Sequence, residues 1–123
     1  MTDDGGTANV GAVRAAATYF DAWQARDFAR LRSVLADDVD FVGPFGHVQG
    51  GDECLRGLQG LSKIMTDIQV QKVFTDGPDV LTWYDMVTTV ADPVPVANWM
   101  KVTDGKITQI RVAFDPRGIA SGS

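Results

Sequence analysis

The sequence is short of the residues that build most known kinds of site. It has one cysteine, Cys54, and one histidine, His47. A single cysteine excludes an internal disulfide. A single histidine excludes any site needing two or three imidazoles, the common catalytic zinc sites among them. No metal and no other cofactor is expected. Positive charge is also scarce: Lys and Arg total 11 against 16 Asp and Glu, a formal net charge of −5. Such a chain lacks the basic stripe that grips a phosphate backbone, so nucleic acid is not an expected partner. The glycines from Gly6 to Gly11 are followed by Ala12-Val13, where a phosphate loop requires Lys-Ser/Thr, so no nucleotide is expected. No apolar run approaches the ~20 residues that cross a bilayer. Met1–Gly6 is acidic and glycine-rich, without the basic and apolar regions of a signal peptide. The expected address is the cytoplasm, away from membranes, where a lone thiol stays reduced.

What is present is core material. The 123 residues are 45% hydrophobic and include three Trp, six Phe and two Tyr, enough for one domain and too few for two. The expected organisation is a single domain over 1–123 with short flexible termini at 1–6 and 118–123. The first half reads helical. Val10, Val13, Ala17, Phe20 and Trp23 recur at helical spacing up to Ala25. Asp27 can cap a short second helix carrying Phe28, Leu31, Val34 and Leu35. A strand fits Val39–Val42 and closes on Gly43-Pro44 and Gly46. A third helix starts near Asp52, its expected cap, with Cys54, Leu55, Leu58, Leu61 and Met65 inward. Gly57 and Gly60 weaken that helix or permit close packing.

The second half reads as strands. Asp67–Phe74 places Ile68, Val70 and Phe74 on one face, and Asp76-Gly77-Pro78-Asp79 is a turn. Val80–Val90 is rich in β-branched and aromatic residues. Val96–Thr103 and Lys106–Phe114 flank Asp104-Gly105, a strong two-residue hairpin signal. The fold class is therefore α+β: a curved antiparallel sheet wrapped around helices, leaving a cone-shaped pocket of the kind that holds small molecules. Apolar residues on both faces of the late strands exceed what three helices can cover, which predicts a homodimer through the sheet.

Several stretches resemble the nuclear-transport-factor-2-like superfamily, which includes SnoaL-like polyketide cyclases, steroid isomerases and limonene epoxide hydrolases. They are Tyr19-Phe20-Asp21-Ala22-Trp23, Arg26-Asp27-Phe28, Leu35-Ala36-Asp37-Asp38-Val39, Gly43-Pro44-Phe45-Gly46, Gly50, Asp104-Gly105-Lys106-Ile107 and Arg111-Val112-Ala113-Phe114-Asp115. The resemblance spans nearly all of 8–117. It implies a pocket for a small apolar molecule such as a polyketide or a steroid-like compound, and cofactor-free acid–base chemistry if the chain is an enzyme. The alternative is a non-catalytic ligand-binding or dimerisation domain. Against the steroid isomerases, Tyr19 falls at the oxyanion tyrosine, Asn98 near the protonated aspartate, and Gly43 where their base stands. Against the epoxide hydrolases, Asp85 matches one aspartate, while Trp83 and Val112 stand for the arginine and the second aspartate.

Asp85, in an apolar strand, is the expected acid or base, provided the face it shares with Trp83 and Val87 lines the pocket. Thr82, Tyr84, Met86 and Thr88 form the other face, which is no more polar. Tyr19 and Asn98 are the expected hydrogen-bond donors. Trp23, Phe41, His47, Trp83, Met100 and Val112 are the expected ligand-binding residues. His47 is the only side chain whose ordinary titration lies near neutrality. Arg111 sits opposite in parity to Ile110 and Val112, which turns it outward. Asp38 and Asp40 also alternate outward, and no metal-binding spacing follows them. Cys54 reads as buried packing.

Overall fold

Alanine decides how the first helix sits. Ala12, Ala15, Ala16 and Ala22 are buried together with Tyr19, Phe20 and Trp23. The small side chains bring the helix axis close to the sheet, and the three aromatics fill the space around it. The structure, a computed structural model, describes residues 2–122, with side chains described over 10–119. Helix α1 runs Thr2–Ala25, so it takes in residues 2–6, which sequence alone assigns to a tail. It ends in a Schellman turn. The Arg26 N–H donates to the Trp23 carbonyl at 3.1 Å and the Asp27 N–H to the Ala22 carbonyl at 2.8 Å. Arg26 holds the left-handed position, φ 58°, that glycine usually takes. Its guanidinium donates to the carbonyls of Ser62 and Met65, both at 2.7 Å. These charge-assisted bonds offset the cost of the strained backbone and pin the end of α1 to the turn after the third helix.

Asp27 then caps α2 (Phe28–Ser33), accepting from the Arg30 N–H. The chain continues through β1 (Leu35–Gly43), β2 (Gly46–Gln49), α3 (Gly51–Ser62), β3 (Met65–Asp76), β4 (Asp79–Thr88), β5 (Val94–Thr103), β6 (Lys106–Ala113) and α4 (Arg117–Gly122). Met65 opens β3 rather than closing α3. The cap of α3 is Gly50, φ 100°, not Asp52. Asp52 instead accepts from Arg32 Nε at 2.9 Å, while Arg32 Nη2 reaches Asp37 at 2.8 Å, so one arginine clasps the start of β1 to the start of α3. Residues 118–122, expected as a tail, lie in α4, anchored by the buried Ile119. Met1 and Ser123 fall outside the described residues.

The six strands form one curved sheet in the order β2-β1-β6-β5-β4-β3. The sheet is mixed rather than purely antiparallel: β1 joins β6 in parallel, and every other neighbour pair is antiparallel. The turn at Asp104 (φ 53°) and Gly105 (φ 78°) has the two left-handed residues of a type I′ hairpin. The helices cover the inner face, where Val80, Tyr84, Met86, Val96, Met100, Ile107 and Ile110 are buried. The outer face carries Phe74, Leu81, Trp83 and Trp99, all exposed. No helix among the described residues is long and apolar enough to cross a membrane.

Candidate functional site

Where α1, α3 and the inner face of the sheet diverge, they leave a cavity of about 310 Å³. Helix α1 contributes Tyr19 and Trp23, one turn apart. Helix α3 contributes Cys54, Gly57, Leu58 and Leu61 at the same period. The sheet contributes Phe41, Tyr84, Met86, Asn98 and Val112, and the β1–β2 turn with Phe114 forms the rim. Phe45 and Phe114 meet edge to face there, with ring centroids 5.7 Å apart. Tyr19 packs against both Phe20 and Trp23, and Phe20 against Tyr84, so an aromatic wall backs the cavity. The Trp23 indole N–H donates to the Leu58 carbonyl at 2.9 Å, which fixes the ring and ties α1 to α3.

Three polar side chains in the cavity wall are buried. Tyr19 and Asn98 are each 1% exposed and Tyr84 is 2% exposed. Burial pushes the Tyr19 hydroxyl well above the usual tyrosine range, helped by Cys54 and Tyr84 and opposed by Asn98. Burial alone does the same to Tyr84. Burial also pushes the Cys54 thiol up to about 12. At neutral pH all three are uncharged, and the two tyrosines can donate or accept a hydrogen bond without ionising. Asn98 lies opposite Thr82 on β4 and Val112 on β6. Neither its amide nitrogen nor its amide oxygen meets hydrogen-bond geometry with a partner, although the amide lies close enough to the Tyr19 hydroxyl to act on it. Among the described residues, no Asp, Glu, Lys or Arg lines the cavity.

Of the residues anticipated from sequence, the structure brings Tyr19, Asn98, Trp23, Phe41, His47 and Val112 to the cavity. It does not bring Asp85, Trp83 or Met100. Alternation along β4 buries Thr82, Tyr84 and Met86 and turns Trp83 and Asp85 to the outer face, where the Gln71 side-chain N–H reaches Asp85 at 3.4 Å. Met100 is core, opposite Val80 and Ile110. His47 touches the cavity rim, but its ring pairs with Asp40, whose other oxygen accepts from Arg111 Nη2 at 2.9 Å. His47 and then Arg111 hold the Asp40 carboxyl below the usual range. Asp40, His47 and Arg111 thus form an ion-paired cluster beside the rim, where sequence parity also turns Asp40 and Arg111 outward.

Sequence reasoning missed Tyr84, Met86, Phe45 and Phe114 as cavity residues. A usable signal was Asn98 itself. It is the polar exception in the alternating set Val96, Asn98, Met100, Val102, which defines the inner face of β5, and strand pairing then carries that parity to Tyr84. Among the described residues, no group of three His, Cys, Asp or Glu could hold a metal ion.

Comparisons with known proteins agree with this architecture. Residues 16–110 match the family described as the SnoaL-like domain. A solved structure from Kribbella flavida superposes with a TM-score of 0.84 at 29% identity, covering 89% of this chain and 90% of its own. A nuclear-transport-factor-2-like protein of unknown function from Cytophaga hutchinsonii gives 0.79 at 24% identity, over 89% and 94%. An LEH-like epoxide hydrolase of M. tuberculosis gives 0.77 at 24% identity, over 93% and 90%. No curated protein matches the sequence. The match over residues 16–110 means that this chain belongs to the SnoaL-like domain family, and its curved sheet enclosing an apolar cavity is the fold of the nuclear-transport-factor-2-like neighbours.

Proposed function

We propose that this protein binds a small, neutral, mostly apolar molecule through one polar group, without turning it over. The observation that carries the reading is the mixed character of the cavity: an apolar, aromatic-backed volume with three buried polar side chains in its wall, Tyr19 and its neighbours Tyr84 and Asn98. Apolar walls supply affinity, and a few convergent polar groups orient the ligand. Among the described residues no Asp, Glu, Lys or Arg lines the cavity and the rim's His47 ring is taken by Asp40, so a charged ligand would leave water with no free opposite charge to receive it. The enzyme reading relied on a carboxylate in the pocket, and Asp85 lies on the other face of β4. The tyrosines and Cys54 are held protonated, so they serve as donors and not as bases. The epoxide hydrolase activity of the M. tuberculosis neighbour has no counterpart in this reading, because Trp83 and Val112 stand where the resemblance to the epoxide hydrolases calls for arginine and aspartate.

The test is a thermal-shift screen of apolar ketones, lactones and epoxides, with product analysis on every hit. Saturable binding without product, weakened about tenfold by Tyr19→Phe, is expected. Turnover abolished by Asp85→Asn would overturn the reading, as would a failure of every apolar compound to bind.

A symmetric homodimer through the sheet belongs to the same proposal. Phe74, Leu81, Trp99 and Arg111 lie in register across β3, β4, β5 and β6 on the outer face. Trp83 stands one row away, and the four large apolar side chains are exposed. A contiguous apolar strip of that kind marks an association surface. Two copies crossing about a two-fold axis would each bury it.

A further inference from the structure

Asn98 is 1% exposed, and both its Nδ2 and its Oδ1 lack a partner. The backbone of β5 is paired on both sides at this position, with Thr82 and with Val112, so the amide is not needed by the ladder. A buried amide with two open hydrogen-bonding atoms is unfavourable for the protein alone. Asparagine is also disfavoured in strands. The cavity wall is where that amide finds a use.

Resting on the binding function proposed above, we infer that the ligand's polar end is itself a neutral cis amide, as in a lactam or primary carboxamide. It lies edge to edge with the Asn98 side chain. The ligand carbonyl accepts from Nδ2 while its N–H donates to Oδ1, giving two parallel bonds. The same two-point logic lets an asparagine read the donor–acceptor edge of adenine. The match holds whichever way the Asn98 amide is turned, because donor and acceptor exchange together. Other head groups fail on named grounds. A ketone satisfies Nδ2 and leaves Oδ1 buried and unpaired. A carboxylate sets a negative oxygen against Oδ1; among the described residues no Lys or Arg lines the cavity, and the rim's His47 ring is already paired with Asp40. An ammonium leaves Nδ2 unpaired and finds no carboxylate there. A single hydroxyl reaches one amide atom at a time. Tyr19 and Tyr84, hydroxyl-bearing and uncharged, are available for the carbonyl's second lone pair.

The experiment compares three probes on one apolar frame: a phenyl-substituted δ-lactam, phenylcyclohexanone and phenylcyclohexane. Affinities are measured by calorimetry against the full chain and Asn98→Leu. The lactam is expected to bind the wild type at least about tenfold tighter than the ketone. In Asn98→Leu that preference should fall to within about threefold, and the hydrocarbon should gain. Equal binding of lactam and ketone, or a lactam preference that survives Asn98→Leu, overturns this inference and leaves the pocket function standing. If no probe binds the wild type, the pocket function fails and this inference with it. Asn98→Ala gives the same comparison should Asn98→Leu not fold.

Discussion

Tyr84 and Asp85 are consecutive on β4 and face opposite sides of the sheet. Tyr84 forms part of the aromatic end of the cavity, while Asp85 lies on the outer face within reach of Gln71. A strand alternates its side chains, so no rotamer of Asp85 reaches the cavity without a register slip of the whole strand. Asp85→Asn should therefore leave ligand affinity unchanged within twofold and stability within about 0.5 kcal/mol. Calorimetry and a urea melt on both forms check this. A tenfold loss of affinity would mean that the face assignment of β4 is wrong.

That relationship also shows where sequence reading succeeds and stops. Asp104-Gly105 declares its turn because few residue pairs accept two left-handed conformations. Asp27 declares the start of α2 because its carboxylate can reach the Arg30 N–H. The face of β4 was not legible, since Leu81 and Trp83 outside are as apolar as Tyr84 and Met86 inside. Alternation carries no sign when both faces of a strand are covered or sticky. The short β2 was hidden for another reason: Gly46-His47-Val48-Gln49 has little strand character of its own and forms because β1 presents an edge beside a tight turn. Gly50, not Asp52, caps α3 because the chain enters the helix at Gly50 with φ 100°, which leaves Asp52 already inside the first turn, where its carboxylate accepts from Arg32.

The end of α1 gives a stability prediction. Arg26 combines a left-handed backbone with two guanidinium bonds to the Ser62 and Met65 carbonyls. Arg26→Ala keeps the strain and loses both bonds, and should cost about 1–3 kcal/mol. Arg26→Gly loses the same bonds but removes the strain, and should cost about 1 kcal/mol less than the alanine variant. Denaturant melts check this; equal losses would show that backbone strain contributes nothing at this turn.

Dimer formation is checked at Trp99. Its indole N–H donates to Asp79 at 2.9 Å while the ring stays on the exposed face of β5. Trp99→Lys should leave the fold intact and place a charge in the middle of the apolar row. Sedimentation should then give a 13.3 kDa monomer where the wild type gives twice that mass. A wild type that sediments as a monomer at micromolar concentration removes the dimer.

Burial of Cys54 sets a limit at alkaline pH. Its thiol is raised to about 12 in the folded chain, against ~8.5 in the unfolded one. The native state therefore keeps its proton where the unfolded state loses it. The resulting stability is fully present below about pH 8.5 and drains away as pH rises toward 12, with about 2 kcal/mol gone by pH 10. Tyr19 and Tyr84, raised in the same direction, extend the loss above pH 10. Cys54→Ala should flatten the part between pH 8.5 and 10. A thiol reagent at pH 8 should label the folded protein roughly 10³-fold more slowly than the unfolded one. Labelling at the unfolded rate would refute the burial.

Gly57 separates stability from binding. It sits in the middle of α3, lines the cavity, and has no heavy atom within 4 Å of where a Cβ would stand. It is therefore not a close-packing glycine, and within the helix it weakens the element without a contact to show for it. Gly57→Ala should stabilise the protein by up to about 1 kcal/mol through helix propensity. Gly57→Leu should keep most of that gain while its side chain occupies the wall of the cavity, weakening any cavity ligand at least tenfold. The two effects run in opposite directions only if the open space beside α3 belongs to a ligand. A leucine variant that is more stable and binds the lactam or ketone probes as tightly as the wild type would place those probes elsewhere on the protein. A leucine variant that is destabilised would mean that the space is already committed to packing.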